Sequence, residues 1–231
     1  MFEPVRPRHR VVMQALAGLD GTFLARAQCF FGGGTRIVLE LGEYRESADI
    51  DLLCASRDGY RSLRSAVTEQ SLGPISRSKL RLAREVIADR YGIRTVLAFG
   101  KAERLKLEII LEARIELAGG VIEDLPVPVL DAASCCAEKF LANSDRWLDE
   151  SVLGRDIIDL AFMTVRWGAA PLRAGRTIAT GAYGKAVSAD AKRAATKMLE
   201  RADWRRHCVA ALSLTDTRTL LAGLRLLASA R

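Results

Sequence analysis

Three consecutive glycines follow a short apolar run near the start of the chain, and this pairing constrains the fold more than any other feature. Cys29-Phe30-Phe31 has the composition of a brief buried strand, and Gly32-Gly33-Gly34 predicts a sharp turn after it. Glycine suits such a turn because it adopts the positive φ angles that other residues avoid. Residues 35–41 then predict a short helix that opens from the turn.

The rest of the first 125 residues mixes predicted helices and strands. Helical spacing of apolar residues covers 11–27, with a break near 18–21, and also covers 58–69 and 78–91. Alternation of acidic and apolar residues predicts a strand over 48–54. Two further strands, 94–99 and 104–111, are separated by four residues that suit a hairpin connection.

After Pro126 and Pro128, almost the whole chain is predicted to be helical. The clearest helical segments are 132–143, 150–167, 189–201 and 217–228. We therefore expect an α+β protein of two domains: residues 1–125 form a small mixed sheet with flanking helices, and residues 126–231 form a helical domain. A chain of 231 residues is long enough for this division.

Charge is unevenly distributed along the chain. Residues 164–231 contain 13 Lys and Arg but four Asp and Glu, whereas the first 163 residues contain 22 and 24. The basic C-terminal region indicates contact with a polyanion, or a helical bundle with a solvated basic face. The candidate phosphate contacts are Arg173, Arg176, Lys185, Lys192, Arg193, Lys197, Arg201, Arg205 and Arg206.

Neither membrane insertion nor a zinc site is expected. No apolar run approaches the ~20 residues of a membrane span, and no apolar segment follows the basic N-terminus as in a signal peptide. We therefore expect a cytoplasmic protein with no membrane partner. The five cysteines contain no C-x-x-C pair and only two histidines accompany them, which favours reduced, buried thiols.

The glycine turn and the acidic strand suggest a site for a polyphosphate and a metal. A glycine turn at a helix start presents backbone N–H groups to an anion, and phosphate is a common occupant. Asp49 and Asp51 lie two apart on a predicted strand, so their carboxylates project from one face and repel each other unless a cation lies between them. Magnesium suits this position because it binds carboxylate and phosphate oxygens. The alternative is the ordinary solvent face of a strand.

Three charged residues further along the chain are candidates for the same chemistry. Glu108 on the strand 104–111 could complete a metal site, or could pair with Lys106 on an exposed face. Lys139 lies in a mostly apolar helix, where its charge either reaches water or meets a partner. Asp156 and Asp159 share a helix face; an ordinary ion pair with Arg155 could account for Asp159, so Asp156 is the stronger candidate.

These residues together resemble a known family. The pattern G-G-T-x9-R-x-S-x-D-x-D resembles that of the AbiEii/AbiGii-type abortive-infection nucleotidyltransferases. These belong to the polymerase-β-like superfamily and include toxins of bacterial toxin–antitoxin pairs. In this chain the pattern consists of Gly33, Gly34, Thr35, Arg45, Ser47, Asp49 and Asp51. Segment 137–142 is similar to the family's A-E-K-x-x-A helix, with Arg146 following, and segment 155–160 is similar to its R-D-x-x-D-L segment. The resemblance covers about residues 30–163.

The resemblance implies a polymerase-β-like core and a role for each matched residue. Gly33, Gly34 and Thr35, with Arg45 and Ser47, would bind the nucleoside triphosphate. Asp49 and Asp51 would bind Mg²⁺ or Mn²⁺, and Glu108 stands where the superfamily often uses Asp. Lys139 would contact phosphate and offset negative charge during transfer. Asp156 would organise the site, or act as a base toward the acceptor hydroxyl, and the helical domain would complete the active site.

The implied function is transfer of a nucleoside monophosphate from an NTP to an acceptor, with RNA, and in particular the tRNA 3′ end, as the favoured acceptor. A cognate antitoxin protein would be a further partner. Two alternatives stay open. A nucleotidyltransferase that modifies an antibiotic would need an acidic acceptor pocket, which the basic C-terminal region disfavours. A non-catalytic nucleotide- or RNA-binding module would not need Asp49, Asp51 and Lys139 to be intact.

Overall fold

A computed structural model of the chain describes residues 3–230 and divides it into two compact units. The first unit contains the described residues through Leu39 together with Ser47–Asp131. The second contains Glu40–Glu46 and the chain from Ala132 onward. The second unit is therefore discontinuous in sequence, because a seven-residue segment from the first third of the chain belongs to it.

The first unit is built on one mixed sheet, which has seven strands within residues 3–230. The strands are β1 (Cys29–Phe31), β2 (Ile50–Cys54), β3 (Leu82–Ala88), β4 (Gly92–Phe99), β5 (Glu103–Leu111), β6 (Gly119–Gly120) and β7 (Val129–Leu130). Their order across the sheet is β3-β4-β5-β2-β1-β7-β6. The β2–β5 and β1–β7 pairs are parallel and the other pairs are antiparallel, so β2 and β5 run side by side through the middle.

Four helices accompany the sheet: α1 (Pro7–Ala17), α2 (Gly21–Arg26), α3 (Gly33–Glu40) and α4 (Arg57–Ala66). The break expected near 18–21 is confirmed, because α1 ends at Ala17 and the carboxylate of Asp20 caps α2 by accepting from the Phe23 N–H at 2.8 Å. The buried core combines Leu16 of α1 with Phe31 and Leu52 of the sheet. This packing fixes β1 and β2, whose ends carry the glycine turn and the aspartates.

The second unit contains six further helices within the described residues. They are α5 (Ala132–Arg146), α6 (Arg155–Arg166), α7 (Ala169–Tyr183), α8 (Ala186–Glu200), α9 (Ala202–Ala211) and α10 (Thr217–Ser229). Helix α5 packs on α7, and α10 packs on α6 and α8. Glycine permits the closest of these approaches: a Cβ at Gly223 would lie 2.1 Å from the carbonyl oxygen of Ala161, so α10 lies directly on the backbone of α6.

One predicted element is wrong. Residues 78–91, predicted to be a helix, contain strand β3 at the edge of the sheet, paired antiparallel with β4. Val86 is the one residue of β3 that is fully buried, so the segment has no apolar stripe of the kind that holds a helix to a core. Pairing with β4 overrides the local preference for a helix. The predicted hairpin of β4 and β5 is confirmed, with Phe99 opposite Glu103.

Two further features of the structure concern the apolar character of the helices and the state of the cysteines. No helix within residues 3–230 combines the length and the apolar character that crossing a bilayer would require. All five cysteines are buried, and none forms a disulfide. Cys29 and Cys54 lie opposite each other on β1 and β2.

Candidate functional site

The glycine turn passes directly over the carboxylate of Asp51. Gly33 begins helix α3 with a φ of +67°, and a Cβ at this position would lie 2.1 Å from Asp51 Oδ2. The Gly32 N–H donates to the backbone carbonyl of Asp51 at 2.8 Å, which fixes the turn to β2. Only glycine fits at residue 33, because any side chain would strain the backbone and collide with the carboxylate. The turn therefore places Gly33, Gly34 and Thr35 beside an acidic group.

Ser47 is anchored beside this turn by two hydrogen bonds. The hydroxyl oxygens of Ser47 and Thr35 are 2.9 Å apart, and the Ser47 N–H donates to His9 Nε2 at 3.2 Å. His9 lies on α1 and is fully buried. The sequence did not suggest a role for His9, because a lone histidine in an N-terminal helix carries no pattern. These bonds hold the segment that leads to Asp49.

The three candidate metal ligands have different surroundings. The strand predicted over 48–54 begins at Ile50, so Asp49 is exposed just before β2, whereas Asp51 is partly buried within it. Asp51 is in parallel register with Glu108 on β5. The carboxylate of Glu108, however, is held by Lys106 Nζ at 2.7 Å and by Arg94 Nε at 3.4 Å. The Lys106–Glu108 pair that the sequence offered as an alternative is thus present.

Asp49 and Asp51 carry carboxylate oxygens, which are among the ligands that magnesium prefers. Within residues 3–230, no three histidine, cysteine or acidic side chains come together as a metal site. Mg²⁺ is commonly held by one or two carboxylates, with substrate phosphates and water completing its shell. Asp49 and Asp51 are two positions apart in the chain and match that number of carboxylates; that they bind the ion, with Glu108 as a third ligand, stays a prediction.

A second cluster, within the helical unit, is centred on Asp159. This carboxylate is fully buried and accepts from Arg45 Nε at 2.7 Å and Arg45 Nη2 at 2.8 Å. The Tyr44 hydroxyl donates to Asp159 Oδ1 at 2.7 Å, and the Tyr44 ring stacks on Phe162 with centroids 3.7 Å apart. The suggestion that Asp159 pairs with Arg155 is wrong; its partners come from the Glu40–Glu46 segment and from α5.

Lys139 links Asp159 to Asp156. Its ammonium lies 2.7 Å from Asp159 Oδ2 and 2.9 Å from Asp156 Oδ1, and its side chain is 8% exposed. Arg146 completes the chain of contacts by donating to both oxygens of Asp156, at 2.7 and 3.0 Å. We call these five residues, Arg45, Lys139, Arg146, Asp156 and Asp159, the charged network. Its five side chains carry three positive and two negative charges, linked by the ion pairs described above.

The electrostatics of the charged network fix its protonation. Burial alone would raise the pKa of Asp156, but the charges of Lys139 and Arg146 outweigh it and hold the pKa below its usual range. Arg45 and Lys139 likewise lower the pKa of buried Asp159. Burial would lower the pKa of Lys139, yet the two carboxylates raise it. The lysine therefore stays charged, and Asp156 is a weak base in this arrangement.

The predicted site residues thus fall into two groups. One contains Gly33, Gly34, Thr35, Ser47, Asp49 and Asp51, within the first unit. The other contains Arg45, Lys139 and Asp156, within the second unit. Arg45, expected to bind the nucleotide, is 3% exposed and committed to Asp159, so direct contact with a nucleotide would require it to leave that partner. Tyr44 and Asp159 were missed as members of the group.

Comparison with known proteins identifies the family. A family model described as nucleotidyl transferase AbiEii toxin, type IV toxin–antitoxin system, matches residues 14–223. A comparison with curated proteins gave no match.

Two solved structures from Helicobacter pylori share the fold. One is a crystal structure of a protein thought to be a nucleotidyltransferase, with 16% identity and a TM-score of 0.50, covering 95% of this chain and 93% of that one. The other is the crystal structure of JHP933, with 16% identity and a TM-score of 0.54, covering 98% of this chain and 94% of that one.

Proposed function

We propose a reaction and an acceptor for this chain on the premise that it belongs to the AbiEii family of nucleotidyl transferase toxins of type IV toxin–antitoxin systems. The proposed reaction is magnesium-dependent transfer of a nucleoside monophosphate from an NTP to a hydroxyl group of RNA. The tRNA 3′ end is the favoured acceptor. An RNA acceptor implies activity in the cytoplasm.

The observation that carries the proposal is the position of the glycine turn against the Asp51 carboxylate. Backbone N–H groups at a helix start attract phosphate, whereas a carboxylate beside them repels it. A polyphosphate can occupy such a place only if a cation neutralises the carboxylate. The arrangement therefore supports a site for a nucleoside triphosphate together with Mg²⁺, rather than for a bare anion.

The residues of the turn and of β2 would share this task. The N–H groups of the turn and the Ser47 hydroxyl would bind phosphate oxygens, and the fully buried Thr35 would hold the Ser47 hydroxyl in place. Asp49 and Asp51 would hold Mg²⁺, which when bound supplies positive charge to the α-phosphate and to the leaving pyrophosphate. This assignment explains why a carboxylate lies where an anion is to bind.

Within the charged network, Lys139 is the residue suited to the phosphates. Its ammonium is permanently charged and fixed by two carboxylates, so it can offset negative charge without first being ordered. Asp156 would position Lys139 and Arg146. A role as general base would require Asp156 first to lose these partners, because its pKa is held low.

The basic helical unit supports RNA as the acceptor. Among its candidate phosphate contacts, Arg173, Lys185 and Lys192 are exposed, and their charged groups have no ion-pair partner within residues 3–230. Others are already engaged: Lys197 and Arg201 pair with Glu150, Arg193 pairs with Asp190, and Arg206 pairs with Asp203. Arg205 donates to the carbonyls of Met198 and Leu199 at the end of α8. Arg173, Lys185 and Lys192 are therefore the strongest candidates for contacts with the phosphate backbone of RNA.

The test is transfer of label from each α-³²P NTP to total bacterial tRNA in the presence of Mg²⁺. We expect label on RNA with at least one NTP, its loss with EDTA, and its loss in Asp49→Asn. Asp58→Asn, which changes an exposed carboxylate on α4, is the matched control and should keep activity. Label on a protein or small molecule instead of RNA would refute the proposed acceptor, and retention of activity in Asp49→Asn would refute the proposed metal site.

A further inference from the structure

The sheet of the first unit has a buried face and an opposite face that carries charged residues. Leu52 of β2, Leu97 of β4 and Leu107 of β5 belong to the buried core, which also contains Leu63 of α4. Side chains alternate between the two faces of a strand, so Asp51, next to Leu52, belongs to the opposite face. The charged residues of that face therefore lie on the same side of the sheet as the proposed metal site.

Strand register arranges the residues of the opposite face in rows. Asp51 is in register with Glu108 of β5, which is in register with Arg94 of β4. In each of the next two rows, a small apolar residue on β4 lies between a cation on β5 and a cation on β3 or just before it. These rows contain Lys106, Val96 and Arg84, and then Arg104, Ala98 and Arg81. Arg81 is placed by its carbonyl, which accepts from the Ala98 N–H at 2.9 Å. We call these six residues, with Arg94 and Glu108, the outer face.

Three arginines of the outer face are exposed and not neutralised. Within residues 3–230, the guanidinium groups of Arg81, Arg84 and Arg104 have no carboxylate partner. Glu108, the single carboxylate of the outer face, already has Lys106 as a partner at 2.7 Å. Like charges on one surface repel each other, and a bound anion would remove that repulsion. The outer face therefore favours an anionic ligand.

This surface corresponds to a local excess of positive charge in the sequence. Residues 76–84 contain four Lys and Arg and no Asp or Glu. The first 163 residues as a whole contain 22 basic and 24 acidic residues, so their total charge conceals the cluster.

The arginines are spread as an extended polyanion would require. Arg81 and Arg104 lie on either side of β4, so their backbones are about 10 Å apart, across two strand spacings. Arg84 belongs to the neighbouring row, about 7 Å away along β4. A ligand that contacts all three arginines without drawing them together must be extended and carry several negative charges.

RNA matches this surface better than an acidic protein does. Protein interfaces are centred on large side chains, often aromatic, that fill pockets of the partner. Between the arginines, β4 presents Val96 and Ala98, which are too small to serve as such anchors. An RNA strand presents phosphates at regular intervals, and arginine binds phosphate oxygens through paired N–H groups.

We propose that the outer face binds the backbone of the acceptor RNA through Arg81, Arg84 and Arg104, and leads its 3′ end toward Asp51. The inference rests on the proposed function for the identity of the polyanion, and it adds a contact surface in the first unit to that of the helical unit. Lys106 offsets the charge of Glu108, which lies between the arginines and Asp51, so this carboxylate is kept from repelling the RNA.

The test is filter binding of bacterial tRNA to a variant that combines Arg81→Ala, Arg84→Ala and Arg104→Ala. Removing three phosphate contacts should lower the affinity at least about tenfold at low salt and lower the slope of log K against log salt by about 2–3. All three residues are exposed, so the far-UV circular dichroism should not change. The single variants, each expected to lower the slope by about 1, serve the same purpose should the triple variant fail to fold.

A matched control removes the same charge from the other side of the sheet. Arg57, Arg61 and Arg64 are exposed on α4, which packs on the buried face. Changing all three to Ala should leave the affinity and the slope unaltered. Equal losses in the two triple variants would overturn the inference, because RNA binding would then follow net charge rather than the outer face.

Label transfer separates this inference from the proposed function. In the variant of the outer face, the KM for RNA should rise while the KM for NTP stays unchanged, a division that general damage to the fold would not produce. Transfer to RNA with an unchanged KM for RNA would refute the outer face alone. Weakened RNA binding in this variant, with no transfer by the unaltered protein, would refute the proposed function alone.

Poly-L-glutamate distinguishes an acidic protein from RNA as the ligand. We expect the variant of the outer face to lose more affinity for tRNA than for poly-L-glutamate, because the arginines are spaced for a phosphate backbone. Loss of poly-L-glutamate binding with unchanged tRNA binding would overturn the inference and assign the surface to an acidic protein.

Discussion

The guanidinium of Arg45 donates two hydrogen bonds to the carboxylate of Asp159, 114 positions later in the chain. The pair is buried, and the same carboxylate also holds the Tyr44 hydroxyl and the ammonium of Lys139. A charge buried in this way is tolerable only while its partners are present. Asp159 therefore acts through Arg45 and Lys139, as a residue that positions both.

Asp159→Ala should destabilise the protein by about 3–5 kcal/mol, because it leaves the buried charges of Arg45 and Lys139 without this partner. Urea unfolding followed by far-UV circular dichroism measures the change. Arg45→Met alone and Arg45→Met combined with Asp159→Ala complete the comparison. Removing both charges should restore much of the lost free energy of unfolding, and a double variant as unstable as the sum of the singles would contradict the pairing.

Gly33→Ala should lower the free energy of unfolding by more than the positive φ of residue 33 alone explains. Positive φ costs an L-residue about 1–2 kcal/mol, and here the new Cβ would also meet the Asp51 carboxylate. Gly42→Ala is the control, since Gly42 has a φ of +86° with nothing within 4 Å of its Cβ position. Equal losses of unfolding free energy in the two variants would show that the turn does not lie against Asp51.

Asp49→Asn and Asp51→Asn should each reduce transfer about a hundredfold or more, because a catalytic metal stabilises the transition state by several kcal/mol. The fold should persist in Asp49→Asn, since Asp49 is exposed. Initial rates over a magnesium titration measure the effect. An unchanged dependence on magnesium in both variants would place the metal elsewhere.

Lowering the pH should reduce the part of the free energy of unfolding that the charged network contributes. The folded chain holds the pKa values of Asp156 and Asp159 below the ordinary 3.8, so the unfolded chain binds more protons in that range. The contribution of these two carboxylates to the free energy of unfolding is complete above the pKa of the unfolded chain. It is lost as the pH falls toward the pKa values of the folded chain. Urea unfolding at pH 7, 5, 4 and 3 should show this loss, with a shallower dependence in Asp159→Asn. The same pH dependence of the unfolding free energy in the unaltered protein and in Asp159→Asn would argue against this role of the carboxylates.

Single alanine substitutions at Arg173, Lys185 and Lys192 should weaken RNA binding without sequence preference. Each lost phosphate contact lowers the slope of log K against log salt by about 1. Filter binding at several salt concentrations gives the slopes. Lys101→Ala, at the exposed hairpin turn of the first unit, should leave them unchanged. Unaltered slopes in all three variants would remove this surface from the RNA site.

Local patterns predicted the glycine turn and four of the seven strands that the described part of the chain contains. The glycine turn and β2 follow from short-range signals, namely Gly32, Gly33 and the alternation through Asp51, and the four-residue connection between two strand patterns predicted the β4–β5 hairpin. Strand β3 was mistaken for a helix because its residues favour a helix locally and its strand form depends on pairing with β4.

The charged network could be predicted only in part. Lys139 and Asp156 were recognisable from the segments that resemble the family. Arg45 and Arg146 were recognised in the same way, but the pairing was not, because the contact between Asp159 and Arg45 spans 114 positions and no helical or strand period links them. Arg155 lies at helical spacing from Asp159 and was therefore the expected partner, but in the folded chain tertiary packing brings Arg45 to Asp159 instead.

The assignment of Glu40–Glu46 to the second unit has a consequence for biosynthesis. At about 5–20 residues per second, a ribosome needs roughly 6–23 s after making Arg45 to make Asp159. During that interval the sheet's first strands can already form, while the segment with Tyr44 and Arg45 has no completed site to enter. The buried pair of Arg45 and Asp159 therefore cannot form until most of the chain has been translated.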